Sequence, residues 1–297
     1  MLSRIAFILV IGSLTIGAQS VVAQNKSADS VSAIYETSCS RAQNLQREEI
    51  KKSGLVNEVL GHLNEEFLLP HKLIVRFTCS SAGESGPYYS TETKAIIFPY
   101  AFRQYVSLEL LRNEHAENHE KRDAVTEIIA ALVQKELKIT APASNSVEIN
   151  TDDMDELETI IDDVLLHTLY HELGHALVDI LRLPITGKEE DAVDELSTLF
   201  LIENFENGEQ IATNAGDFFD LESLQSDEVT EQSLFGEHSL DEQRYFNILC
   251  LVYGSNPRNG KDLFEGLDVS EGRANICVED FAKRRSAWNR ILAPYKR

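Results

Sequence analysis

Apolar residues recur at helical spacing through GLVNEVLGHLNEEFLLP (54–70) and stop at Pro70, so the pattern predicts a helix there. KLIVRFTC (72–79) is rich in β-branched residues and predicts a strand. The turn-rich SSAGESGP separates it from YYSTETKAIIFPY (88–100), which reads as a hairpin with its second strand at Ala95 to Phe98. Pro99 ends that strand or confines it to a sheet edge. Helical patterning follows from about Arg103 to Leu137, broken near the charged NEHAENHEKRD, and yields to a polar, acidic loop at 140–156. It resumes from Leu157 to about Leu181, crosses RLPITGK, and continues from about Glu189 to Phe205. Residues 206–236 are acidic, contain Gly, Ser and Asn, and read as a long loop. EHSLDEQRYFNILCLVYG then opens a helix, with Ser239 and Glu242 as its capping box, and a last helix covers about Val278 to Leu292. The expected fold class is α+β, mostly helical, with a small β-sheet before the Leu157–Leu181 helix.

The first residues follow a different pattern. Arg4 is a short positive segment, Ile5 to Gly17 is an apolar run too short to span a bilayer, and Val21-Val22-Ala23 offers a small-residue cleavage site. Residues 1–23 therefore read as a signal peptide, and no cysteine follows to carry a lipid. Residues 24–50 form a polar N-terminal segment, loosely held, and 51–297 a single domain. The expected location is exported, periplasmic or secreted, with no stable membrane insertion after cleavage. Four cysteines suit two disulfides in an oxidising compartment, and proximity in sequence favours Cys250–Cys277 and Cys39–Cys79. Their wide, irregular spacing does not match a thiolate metal site. Against 27 Lys and Arg stand 49 Asp and Glu, a net charge of −22 that excludes nucleic acid and anionic membrane surfaces as partners.

The candidate chemistry lies in His171-Glu172-Leu173-Gly174-His175. Residues four apart share a helix face, so His171 and His175 can address one metal ion, with Glu172 beside it as general base. Such a string can arise by chance. Its apolar flanks bury this one, however, and buried histidines need partners, which a metal supplies. A third ligand is expected on the next helix. Glu190 and Asp194 stand at i and i+4, spaced for a ligand and an acid that orients a histidine. Asp191 and Glu195 share that spacing, and Glu189 has no acidic i+4 partner. Glu190 is the leading choice because Ala192, Val193 and Leu196 pack beside it, with Glu195 as the alternative ligand. Two imidazoles and a carboxylate suit Zn2+. Gly174 leaves room for substrate or for another helix.

His238 precedes a capped helix, with Asp241 three residues on. A histidine held by a carboxylate can stabilise the oxyanion of a tetrahedral intermediate, so His238 is a candidate catalytic residue. Arg244 is a second candidate for oxyanion or substrate-carboxylate binding. His167 reads as a satisfied core histidine, and His62, His71, His115 and His119 as surface residues. The reading is a zinc-dependent peptidase acting on a peptide or protein; the alternative is a non-catalytic exported zinc-binding or protein-interaction module. Neither the substrate nor the oligomeric state is legible.

LLHTLYHELGHALVDILRLPITGKEEDAVDELSTLFL, EHSLDEQRYFNILCLVYGSNP and RANICVEDFAKRRSAWNRILAPY together resemble a bacterial metallopeptidase family catalogued as a domain of unknown function. The resemblance is strongest over 160–292. It implies a zincin-type fold, export, zinc at His171, His175 and an acid of EEDAVD, and a role for EHSLDEQR. Members often carry a cysteine where this chain has Pro99, a departure that makes Cys39 the partner expected for Cys79.

Overall fold

Leu73, Val75 and Phe77 alternate with more exposed neighbours along β2 (Leu73–Thr78), giving the strand one buried face. The structure is a computed structural model and describes residues 30–80, 86–116, 151–224, 229–258, 260–264, 267 and 269–297. The expected signal peptide at 1–23, the helical stretch beyond Ala116 and the loop expected at 140–150 lie outside the described residues. β2 is flanked in parallel by β1 (Val31–Tyr35) and β4 (Ala95–Pro99), with Val31 opposite Leu73 and Ile74 opposite Ala95. β3 (Tyr88–Ser90) runs antiparallel to β4, so the order is β1-β2-β4-β3. The fold is mostly helical α+β with a small mixed sheet.

The hairpin expected at 88–100 is present, but its inner strand is β4. Among the described residues, the sheet edge on this side belongs to β3, not to Ala95–Phe98. Residues 24–50, expected to be loosely held, contribute β1 and α1 (Arg41–Ser53). β1 is only five residues long and pairs with a strand about 40 positions away, which no local pattern reveals. The Asn64 side chain accepts from the Val31 amide and donates to the Val31 carbonyl, occupying part of that edge.

α2 (Leu55–Glu66) packs on β1, and α3 (Tyr100–Ala116) follows β4 without a break. The central element is α4 (Thr151–Leu181), which starts six residues before the sequence pattern indicated. Its buried residues are not confined to one stripe. Ile161, Leu166, Leu169, Tyr170, Leu173, Ala176 and Leu177 are all buried, because the sheet, α2 and α3 meet one side and later helices the other. The helix ends on Arg182 in the left-handed region (φ 53°). The Leu183 amide then reaches the Val178 carbonyl at 2.9 Å, and Pro184 bars continuation.

α5 (Glu189–Asn204) returns along α4. The long loop expected at 206–236 instead contains α6 (Gly208–Ser223) and the short α7 (Glu231–Phe235). α6 buries Ile211, Ala212, Ala215, Phe218 and Phe219 at helical spacing. Two of these are alanines among acids and Asn, so the periodicity carries little hydropathy contrast. α8 (Asp241–Ser255) has Leu240 at its N-cap rather than Ser239, with the Gln243 side chain accepting from the Leu240 amide. α9 (Glu271–Leu292) begins seven residues before the expected Val278, capped by Ser270.

The structure joins Cys39 to Cys79 across the ends of β1 and β2, and Cys250 to Cys277 between α8 and α9. The second bridge closes a loop with a sequence separation of 27. Chain-entropy reasoning assigns it about 3.5 kcal/mol. We expect the double substitution Cys250→Ala and Cys277→Ala to lower the unfolding free energy by roughly that amount in urea titrations. A change below about 1 kcal/mol would show that α8 and α9 hold without it. No helix among the described residues is long and apolar enough to cross a membrane.

Candidate metal centre

Gly174 decides how closely α4 and α5 approach. A Cβ there would stand 2.7 Å from Val193 Cβ and 2.9 Å from its Cγ1. The room Gly174 leaves is therefore taken by another helix, not by substrate. Gly174→Ala adds helix propensity of about 1 kcal/mol yet forces the helices apart. We expect a net loss of about 1–3 kcal/mol in denaturant melts and a lower metal content, because Val193 lies next to Asp194 on the displaced helix. Equal stability and metal content would show that the contact relaxes freely.

At this contact three atoms converge. His171 Nε2 lies 3.2 Å from Glu190 Oε2, His175 Nε2 lies 3.3 Å from the same oxygen, and the two Nε2 atoms are 3.3 Å apart. Ligands at 2.0–2.1 Å from a tetrahedral zinc are separated by about 3.3–3.4 Å, so this triangle matches one face of such a polyhedron. Two imidazole nitrogens and a carboxylate oxygen this close need a shared proton or a metal ion among them, and against the lowering effect of burial their carboxylate partners, Glu190 among them, push the pKa of both histidines up. His171, His175 and Glu190 are thus a donor set able to hold a metal ion.

Each imidazole is fixed from behind. His171 Nδ1 donates to Asp194 Oδ1 at 2.6 Å, and His175 Nδ1 donates to Glu189 Oε1 at 2.8 Å, leaving both Nε2 lone pairs facing the centre. Arg244 donates to Asp194 through Nε at 2.7 Å and Nη2 at 3.0 Å, and its guanidinium lies 3.7 Å over the Phe219 ring. Burial alone would raise the Asp194 carboxyl; Arg244 and His171 outweigh it and hold it well below the usual carboxylate range.

Glu172 is buried and lines the same cleft as His171 and His175, and burial pushes its carboxyl up against the lowering effect of both histidines and a hydrogen bond from the Tyr89 backbone amide. The centre opens on a cleft of about 980 Å³ between β3 and the 235–238 segment.

The comparisons with known proteins bear on this cluster. The family model DUF4344, described as "Putative metallopeptidase", matches residues 131–292, more than half of the chain. The chain belongs to this family. No curated protein and no solved structure matches it. The match to the metallopeptidase family spans all of α4 to α8, which contain every residue of the triangle and its supports; the sheet lies before it.

The structure separates the acids that the sequence left in competition. Glu190 faces the histidines, and Asp194 sits behind His171. Glu195 points away from the histidines: it pairs with Arg284 and accepts from Trp288 Nε1 at 2.9 Å. His238 reaches the cluster, with Nε2 3.0 Å from Glu190 Oε2 and its ring 6.2 Å from that of His171. Asp241, expected to hold His238, pairs with Arg244 instead at 3.6 Å. Arg244 itself is committed to Asp194 rather than open to an oxyanion or substrate.

His167 is buried against Ser197 Oγ at 2.9 Å, and burial drives its pKa down to about 3, as for a neutral core histidine. His62 is half-buried, 3.4 Å from the Tyr170 hydroxyl and edge-on to Phe205, rather than on the surface. His71 is exposed, whereas the side chain of His115 and all of His119 lie outside the described residues.

Three contributors went unread in the sequence. Glu189 was set aside for lacking an i+4 acid, but its partner is His175 on another helix. Asp179 continues the His171–His175 face by one more turn and accepts from Tyr89 Oη at 2.7 Å and Lys94 Nζ at 2.5 Å, tying β3 to α4. Lys188 donates to the Gly236 and His238 carbonyls at 3.3 and 3.2 Å, holding the His238 segment against the start of α5. Only the i+4 spacing of Asp179 was visible beforehand.

Proposed function

We propose that this protein is a zinc-dependent peptidase with His171, His175 and Glu190 as ligands, Glu172 as general base and His238 as oxyanion donor. The observation that carries the reading is the donor triangle with edges of 3.2–3.3 Å, backed by Asp194 and Glu189. His171, His175 and Glu190 would hold the zinc ion, which when bound would supply Lewis acidity toward a carbonyl oxygen and a water molecule. Glu172 takes the proton of the attacking water and delivers it to the leaving amine, a transfer for which its raised pKa fits it. In this reading His238, whose Nε2 lies 3.0 Å from Glu190 Oε2, turns to donate to the carbonyl oxygen as charge develops there. Asp194 and Glu189 keep both histidines in the tautomer that turns Nε2 inward. β3, the edge strand among the described residues, gives an extended peptide a strand to pair with. Export fits the two disulfides.

The test is metal content by elemental analysis, followed by hydrolysis of a denatured protein. We expect about one zinc per chain, with Glu195→Ala keeping it and His171→Ala and Glu190→Ala losing it. Chelation should abolish hydrolysis. A folded protein that takes up no zinc when supplied would end this reading. Zinc retained without hydrolysis would leave the non-catalytic binding module.

A further inference from the structure

The cleft beside the centre has two walls, and each carries an aromatic ring toward solvent. On one side β3 presents Tyr88, 46% exposed; on the other the end of α7 presents Phe235, 93% exposed. A phenylalanine this open adds almost nothing to folding, yet its backbone is firmly placed. Thr230 and Ser233 cap the short turn reciprocally, with Thr230 N to Ser233 Oγ at 2.9 Å and Ser233 N to Thr230 Oγ1 at 3.1 Å. Lys188 fixes the Gly236 and His238 carbonyls just after it. These bonds hold Phe235 at the lip of the cleft whatever its side chain is. Val178 adds apolar surface to the same lining.

We propose that Phe235 and Tyr88 form a specificity subsite that receives a bulky apolar side chain of the peptide next to the scissile bond. The inference rests on the peptidase reading and adds the substrate class: peptides with Phe, Leu or a similar residue there. The occupant is argued from continuity. Both rings line the cleft that contains Glu172 and the donor triangle, so a peptide lying along β3 passes between them. Burying such a side chain between two rings is worth about a tenfold to 100-fold gain in affinity.

Binding separates this inference from catalysis. Zinc-loaded Glu172→Gln protein is titrated with two fluorescent octapeptides that differ only in Phe or Gly at the central position, and hydrolysis of both is followed with the unmodified protein. We expect about tenfold to 100-fold tighter binding of the Phe peptide, and collapse of that ratio in Glu172→Gln with Phe235→Ser, at unchanged melting temperature and zinc content. Tyr88→Ser should reduce the ratio as well. Hydrolysis of both peptides at equal rates, with no binding preference, would overturn the subsite and leave the peptidase reading standing. A preference that survives Phe235→Ser also overturns it. So does a change in oligomeric state on Phe235→Ser with the ratio intact, which would assign the ring to contact with a second copy. Zinc-loaded protein that neither binds nor cleaves either peptide overturns both.

Discussion

Arg244→Met is expected to destabilise the protein by about 3–5 kcal/mol and to weaken zinc retention about 10- to 100-fold. Arg244 is partly buried, makes two charge-assisted hydrogen bonds to Asp194, and stacks on Phe219. Methionine keeps much of the apolar contact and removes the charge. Asp194 is then a buried carboxylate facing only His171, and the imidazole it orients loosens. The pH dependence has a definite sign. Asp194 has a depressed pKa in the folded protein, so its contribution is present above the unfolded value near 4 and is lost as the pH falls further. Without Arg244 that pKa rises, protonation relieves the buried charge, and the gap between variant and parent narrows on acidification. Urea titrations at neutral pH and below pH 4, with zinc competition against a chelator, check both parts. A variant as stable as the parent that holds zinc equally well would show that Asp194 needs no counter-charge. Replacing Asp194 by Leu in the same chain should recover stability without recovering zinc affinity, because the orienting carboxylate is still missing.

The second large effect is on rate. Glu172→Gln should lower peptide hydrolysis by about 10²- to 10⁴-fold while zinc content stays at the parent level. Glutamine preserves shape and hydrogen bonding but accepts no proton. Glu172 stands outside the donor triangle, so the ligands are untouched. Stability should move the other way. In metal-stripped protein burial raises the Glu172 pKa, so ionisation at neutral pH costs folding free energy that the neutral amide avoids. The parent gains that stability back as the pH falls through the raised pKa, and the variant does not. Melting curves of the chelated proteins between pH 4 and 8 test this. A variant that keeps full hydrolytic rate would remove Glu172 from the reaction.

The residues of the candidate metal centre could be picked out in the sequence because they obey one-dimensional rules. His171 and His175 are one helical turn apart, and Glu190 and Asp194 repeat that interval on the next helix. The strands β2 and β4 and the buried run of α4 were visible for the same reason: local hydropathy contrast. What stayed hidden depends on how elements meet. β1 takes its identity from pairing with β2 rather than from its own five residues. α6 hides a helical period behind alanines and acids. Glu189 finds His175, and Arg244 finds Asp194, only once α4, α5 and α8 pack, and sequence spacing carries no record of a helix crossing. Strand order likewise decides that β3 and not β4 is the edge.

The donors and the two carboxylates behind them all come from α4 and α5, joined by residues 182–188, while Arg244 arrives from α8. In kinetic terms the centre is a local structure locked by a distant one. Contacts of short sequence separation form early and cheaply, whereas those closing long loops come late. Metal capture should therefore follow the docking of one helical hairpin, and metal escape should wait on the undocking of α8. Loosening α8 would then shorten the residence time of the ion far more than it slows its uptake.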